Sequence, residues 1–102
     1  DLSTMSDTLK SPNHEDFQAL TYWLRAWVGT EIKRRRTKAK ITAQVLATRV
    51  GVGIGQVFRW EAGTNEATFE RLALIADELF CSVGELFPPF TKIRRARRHF
   101  NT

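Results

Sequence analysis

Most of the positive charge of this chain lies in two short runs. Of sixteen lysines and arginines, six fall in residues 33–40 and five in residues 92–98, and the formal net charge is +5. Clustered positive charge is typical of a protein that binds a polyanion. A solvated surface that only aids solubility is the alternative. Two such runs in so short a chain favour polyanion binding.

Composition narrows the class of protein. A chain of 102 residues with 42% hydrophobic residues predicts one modest domain. No apolar run approaches the roughly 20 residues that a membrane span needs, and no signal peptide opens the chain. The single cysteine, Cys81, excludes an internal disulfide and a cysteine-rich metal site. We therefore expect a small buried thiol, a cytoplasmic protein and no membrane partner.

Residues for catalysis are missing from the sequence. His14 and His99 are isolated, and neither a carboxylate pair, a nucleophile with its base, nor a glycine-rich phosphate loop accompanies them. We expect no catalytic residue, no metal, no cofactor and no small-molecule partner.

The first strong pattern is an apolar stripe near the N-terminus. Its residues recur every three or four positions, which predicts a helix from about His14 to Lys38. They are Phe17, Leu20, Leu24, Trp27 and Val28, with Trp23 beside them. Ser11-Pro12 is a helix-start signal, and Gly29-Thr30 could break the helix into two. We favour one continuous or kinked helix because no proline interrupts it. Residues 1–12 are small and polar, and we expect a disordered N-terminus or a tag remnant.

Capping residues divide the next segment into short helices. Thr42 can cap a helix that Gly51 ends, and a third helix runs over residues 54–62 to Gly63. A fourth helix starts after Thr68, and a short fifth one follows a capping-box pattern in residues 82–85. The expected inward residues of these helices are Leu46, Ala47, Val50, Val57, Trp60, Phe69, Leu72, Ile75, Ala76 and Leu79.

The second and third helices form a pair joined through a glycine. On the third helix, Val57 and Trp60 point to one side, whereas Gly55, Phe58 and Arg59 point to the other. The inward side packs, and the outward side can meet a ligand. A helix of this kind, with small residues and one arginine outside, suits insertion into the major groove of DNA.

Residues 28–87 resemble the helix-turn-helix domain of the phage lambda repressor and Cro class, also called the XRE family. The resemblance implies five helices, the third being the recognition helix, and dimeric binding to an inverted repeat with half-sites about 34–36 Å apart. The matching residues are Ile41-Thr42, Leu46-Ala47, Gly51-Val52, Val57, Arg59-Trp60-Glu61, Gly63, Leu72, Ile75-Ala76, Leu79, Ser82-Val83 and Glu85-Leu86-Phe87.

Carried over position by position, the resemblance implies a set of DNA contacts. Arg59 supplies a bidentate fork for guanine, worth about 1–3 kcal/mol of discrimination, and Ile54 can meet a thymine methyl. The family often has a phosphate-bonding glutamine where this chain has Ala43, and neither Ile54 nor Gly55 can donate a side-chain hydrogen bond to a base. The implied base contacts are Ile54, Gly55, Gln56 and Arg59, and the backbone contacts are Arg36, Lys40, Thr42, Gln44, Phe58 and Thr64.

The N-terminal extension, residues 13–27, carries large apolar side chains that the five-helix domain does not need. An exposed apolar patch of this size usually marks an interface, so we favour a homodimer through this helix. Its predicted contacts are Phe17, Leu20, Trp23, Leu24 and Trp27. In the alternative, the C-terminal segment folds back and covers them with Phe90 and Phe100.

Residues 88–102 are predicted to be a basic C-terminal tail that follows Pro88-Pro89. The tail could be an arm laid along DNA, an RNA-binding segment or a disordered one. Its basic residues are Lys92, Arg94, Arg95, Arg97 and Arg98.

The leading functional prediction is a sequence-specific regulator of transcription that binds double-stranded DNA. A repressor of phage, plasmid or toxin–antitoxin type fits the resemblance best. The alternatives are an antitoxin-like module that uses the helix pair as a scaffold for a protein partner, and an RNA-binding protein.

Overall fold

The structure, a computed structural model, describes residues 13–100 and is all-α over that range. We name its six helices α1 to α6. They span His14–Lys38, Ala43–Val50, Ile54–Ala62, Phe69–Glu78, Val83–Leu86 and Phe90–Phe100. The predicted fold class is confirmed, with one helix more than expected, because residues 90–100 are helical. Across the described residues, no helix combines the length and hydropathy that crossing a membrane requires.

The N-terminal helix is continuous, as the sequence favours. Its N-cap is Asn13, whose side-chain oxygen accepts a hydrogen bond from the Asp16 amide at 2.8 Å. The start therefore lies after the predicted Ser11-Pro12 signal, which falls outside the described residues. Gly29 and Thr30 do not break the helix, and Gly29 instead lies at a contact between helices.

Gly29 is the point where α1 crosses α3. A Cβ atom at this position would lie 2.7 Å from the carbonyl oxygen of Glu61 and even closer to that of Trp60. One turn earlier, the Cα of Ala26 lies 3.0 Å from where a Cβ on Gly63 would be. The two helices therefore pack backbone against backbone, which only residues without side-chain bulk allow.

Local capping residues set the ends of the short helices as predicted. The Thr42 hydroxyl accepts a hydrogen bond from the Val45 amide at 3.1 Å, and Gly51 ends α2 in the left-handed conformation at φ 77°. The Glu85 carboxylate accepts from the Ser82 amide at 2.7 Å, and this hydrogen bond lowers the pKa of Glu85.

The core lies between α1 and the short helices. Leu46, Val57, Ile75 and Leu86 are fully buried, and Trp60 is 4% exposed. The inward positions expected of α2 to α4 are confirmed except Phe69, which is 86% exposed. Phe69 is the first residue of α4, and Leu72 is the first residue of this helix that is buried in the core.

The predicted tail forms a helix over most of its length. The carbonyl oxygen of Pro89 accepts hydrogen bonds from the amides of Lys92 and Ile93, at 2.9 and 3.1 Å, and so opens α6. This helix packs on α1, and Ala96 on its inner side is only 9% exposed. Ala96 and Phe100 are four residues apart and therefore lie on one face of this helix, toward α1.

Candidate nucleic-acid interface

Helix α3 presents one buried side and one open side. Val57 and Trp60 are buried in the core, whereas Phe58 is 52% exposed and Ile54 is 38% exposed. Arg59 is exposed on the same open side. The side-chain directions inferred from the sequence are thus correct, and the open side has both apolar surface and one strong donor.

The exposed arginine of α3 is held in place by its neighbours. The Nη2 atom of Arg59 donates a hydrogen bond to the Oε1 of Gln56 at 3.1 Å. A Cβ on Gly55 would lie 3.3 Å from the Nη1 of Arg59, so the guanidinium lies over the bare backbone of Gly55. Gly55, Gln56 and Arg59 form one unit with several N–H donors at the surface of α3.

The residues expected beside this unit fall into two groups. Thr42 uses its oxygen to accept the Val45 amide and keeps its own hydroxyl hydrogen for another acceptor. Gln44 donates to the Thr48 hydroxyl at 3.3 Å and keeps a second N–H, and Lys40 is exposed. Thr64 instead directs both its amide and its hydroxyl to the Arg59 carbonyl oxygen, at 3.0 and 3.1 Å, and so closes α3.

Arg36 does not lie on the open surface. Its Nε and Nη2 atoms donate to the two carboxylate oxygens of Glu61, at 2.6 and 3.0 Å, and its Nη1 donates to the Ile41 carbonyl oxygen at 3.0 Å. The two side chains are only 13% and 5% exposed. The Glu61 carboxylate raises the pKa of Arg36 above its usual value. We therefore assign Arg36 to the contact between α1 and α3 and remove it from the expected phosphate contacts.

Two other arginines of the first basic run are also paired. Arg34 and Arg35 both contact the Glu31 carboxylate, at 2.8 and 3.2 Å. The hydrogen bond from Arg34 lowers the pKa of Glu31 more than its partial burial raises it. The lysines of the run are therefore its unpaired charges within the described part of the chain.

The apolar stripe of α1 is divided between two environments. Trp23 and Trp27 are half-buried, their ring centroids lie 5.7 Å apart, and they share a groove with Ala96 and Phe100 of α6. Leu24 turns toward α4, Leu20 is half-buried, and Phe17 is 60% exposed. The fold-back alternative thus holds for the tryptophans, through Phe100, whereas Phe90 is 69% exposed.

Four of the five basic residues of the second run are exposed on α6, and Arg94 is half-buried. Arg94, Arg95 and Arg98 line a shallow groove together with Phe90 and Thr91. Nucleic-acid binding by this helix stays a prediction, and so does any role of Lys92 and Arg97 in it. Within residues 13–100, no group of three or more metal-ligating side chains is positioned to hold a metal ion.

The sequence matches the model of a known family over the helices that form this interface. The sequence model of a family described as "Helix-turn-helix" matches residues 32–86, from the last third of α1 to the end of α5. The chain belongs to the helix-turn-helix family. The match confirms the resemblance to XRE-type domains, and it places the α2–α3 pair inside the family's defining region.

One relative of this helix-turn-helix protein is described as a transcriptional regulator. An uncharacterised transcriptional regulator in the ATPase CF(0) region of Rhodospirillum rubrum is 34% identical over 62 residues, which cover 61% of this chain and 57% of that protein. The present chain therefore spans little more than half the length of this relative.

Two solved structures show the same fold. The clp gene regulator ClgR from Corynebacterium glutamicum superimposes with a TM-score of 0.59 at 23% identity, over 74% of this chain and 76% of that one. Hydroxypropylphosphonic acid epoxidase from S. wedmorenis gives a TM-score of 0.60 at 33% identity, over 65% of this chain but 35% of the epoxidase. The fold is therefore shared with part of an enzyme as well as with a regulator.

Proposed function

We propose that this protein regulates transcription by binding double-stranded DNA in a sequence-specific way, with α3 in the major groove. The observation that carries the proposal is the unit of Gly55, Gln56 and Arg59 on the open side of α3, opposite the buried Trp60. The family membership and the regulator from Rhodospirillum rubrum support it. We assign it no catalytic role, and we place it in the cytoplasm, where bacterial DNA lies.

Arg59 is the main base-reading residue in this proposal. A guanidinium can donate two parallel hydrogen bonds to the O6 and N7 atoms of guanine, a pattern that the major groove presents only at that base. Gln56 aligns the guanidinium before DNA arrives, which reduces the entropy lost on binding. Ile54 and Phe58 are exposed beside it and supply apolar contacts for thymine methyl groups and sugars.

Phosphate contacts come from the segment that precedes α2 and from its first turn. Thr42, Gln44 and Lys40 each have a donor that is not used within the described structure. The N-terminus of α2 also attracts an anion, because the positive end of the helix dipole lies there. Such contacts position the protein on the duplex and carry no sequence information.

Replacing Arg59 by alanine should relax the preference at one base position in each half-site. We expect a loss of about 1–3 kcal/mol, or roughly 5- to 150-fold, for the preferred base alone. Binding constants for duplexes that differ at single positions measure the effect. Arg59→Lys is the control, since it keeps the charge and removes the fork. Equal weakening on all duplexes, with rescue by lysine, would reassign Arg59 to a phosphate.

A homodimer completes the proposal, because two recognition helices spaced by one turn of DNA read an inverted repeat. The open part of the α1 stripe, Phe17 with the half-buried Leu20, is the surface that we propose for it. We expect light scattering at micromolar concentration to give a dimer mass, and Phe17→Ser to weaken the dimer. Phe90→Ser, which removes another exposed phenylalanine, should not. A monomer mass for the unaltered chain at these concentrations would refute the dimer.

A second candidate function is a protein-interaction module, and the exposed Phe58 favours it. A phenylalanine that is 52% exposed on a recognition helix suits a partner protein as well as a DNA groove. Competition between selected and random duplexes at physiological salt separates the two functions. A preference below about 10³ would favour the interaction module.

A further inference from the structure

A cleft opens between α1 and the start of α4, on the side of α3 that faces away from the proposed groove contact. Its volume is about 220 Å³. Most of its lining is apolar, and the core side of α3 contributes Trp60 to it. Leu24 and Val28 of α1 and Leu72 of α4 are among the other apolar lining residues.

One charged pair stands at this cleft. Arg25 and Glu66 both line it, and their closest nitrogen–oxygen distance is 3.7 Å, too long for a good hydrogen bond. The Glu66 side chain is 75% exposed, whereas that of Arg25 is 28% exposed. Glu66 can therefore turn into water at little cost, and Arg25 is the charge that stays at the cleft.

Two lining side chains also contain buried N–H groups without an acceptor. These are the Nε of Arg25 and the indole Nε1 of Trp60, neither of which has a partner within the described structure. Buried donors without an acceptor are rare in folded proteins and raise the free energy of the fold. The cleft thus combines apolar walls with one arginine, and two of its lining residues contain a buried donor without an acceptor.

We propose that this cleft binds a small carboxylate with a single aromatic or branched aliphatic group. A cavity of about 150 Å³ holds benzene, so the cleft has room for one ring and a short acidic arm. The ring would contact Leu24, Val28 and Leu72, and the carboxylate would displace Glu66 and pair with the Arg25 guanidinium.

The ligand would act on the contact between α1 and α3. Trp60 belongs to α3, and its carbonyl oxygen faces Gly29 at the helix crossing. A ligand packed on the indole would favour one placement of α3 against α1, and so tie DNA binding to the concentration of the acid. This regulatory consequence rests on the proposed function, whereas binding of the acid does not.

Fluorescence of Trp60 tests the site without DNA. In the variant Trp23→Phe/Trp27→Phe, Trp60 is the only tryptophan left. We expect phenylacetate, in a buffer without carboxylates, to change its emission in a saturable way with a dissociation constant on the order of 1 mM. Arg25→Gln should weaken binding about tenfold or more, and benzyl alcohol should bind about tenfold more weakly than phenylacetate.

Several results would overturn the proposal. These are an absence of saturable change with phenylacetate, equal binding of benzyl alcohol, or no loss of binding in Arg25→Gln. A change in Trp60 emission with protein concentration alone would assign the cleft to a second copy of the chain. Because all of these readings are taken without DNA, a failure of DNA recognition would leave them unaffected. The two proposals are therefore distinguishable.

Discussion

Replacing Arg36 by methionine should lower the free energy of unfolding by about 3–5 kcal/mol. The Glu61 side chain is 5% exposed, and both of its carboxylate oxygens accept hydrogen bonds from Arg36. Without the Arg36 guanidinium, the Glu61 carboxylate stays buried between α1 and α3 and loses both of these hydrogen bonds. The Ile41 carbonyl oxygen also loses its donor. Urea unfolding followed by circular dichroism measures the change.

The chain offers a matched control for this substitution. Arg34→Met removes an arginine two residues away whose partner, Glu31, lies on the same helix, and the Arg34 side chain is 53% exposed. Exposed pairs of this kind contribute about 0–1 kcal/mol. The double variant Arg36→Met/Glu61→Leu should recover much of the loss, because it removes both charges. Equal losses for Arg36→Met and Arg34→Met would contradict the buried role of Arg36.

Gly29→Ala should lower the free energy of unfolding by about 3 kcal/mol or more, although alanine is the better helix former. The added Cβ would lie within 2.7 Å of the Glu61 carbonyl oxygen and closer still to that of Trp60. Both are backbone atoms and cannot turn aside, so α1 and α3 must separate. For a domain of this size, the melting temperature would fall by about 12 °C or more.

Gly84→Ala is the control for Gly29→Ala. Both glycines are helical, but the nearest atom to a Cβ at position 84 is the Ser82 hydroxyl oxygen at 3.9 Å. The same substitution should leave the stability of the fold unchanged or raise it by up to about 1 kcal/mol. A Gly29→Ala protein that melts with the unaltered one would show that the helices do not cross as described.

The two substitutions show which features sequence reasoning can reach. Thr42 and Gly51 act on amides and dihedral angles within a few residues, so their roles are legible from spacing. Gly29 is not legible in this way, because its neighbours at the crossing are more than thirty residues away. From the sequence, Gly29 could be a helix break, whereas in the structure it lies at the contact between α1 and α3.

In the candidate site, too, features set by neighbouring residues can be predicted from the sequence, and features that depend on distant residues cannot. The open side of α3 follows from helical periodicity, and the structure bears out the directions of Val57, Phe58 and Trp60. The role of Arg36 does not follow, because Glu61 is 25 residues away and on another helix. The sequence offers the fold-back of the tail only as an alternative, for a related reason. Ala96 and Phe100 are unremarkable among basic residues until Trp23 and Trp27 are placed beside them.

Selection of bound duplexes from a random pool tests the central claim most directly. If α3 reads the major groove as a pair of recognition helices, the selected duplexes will share an inverted repeat with half-site centres about 34–36 Å apart. At physiological salt, the best of them should bind at least about 10³-fold more tightly than random duplex. The same selection with Arg59→Ala should lose one base position in each half-site. A pool that shows no enriched sequence, or enrichment that Arg59→Ala leaves unchanged, would contradict sequence-specific binding through α3.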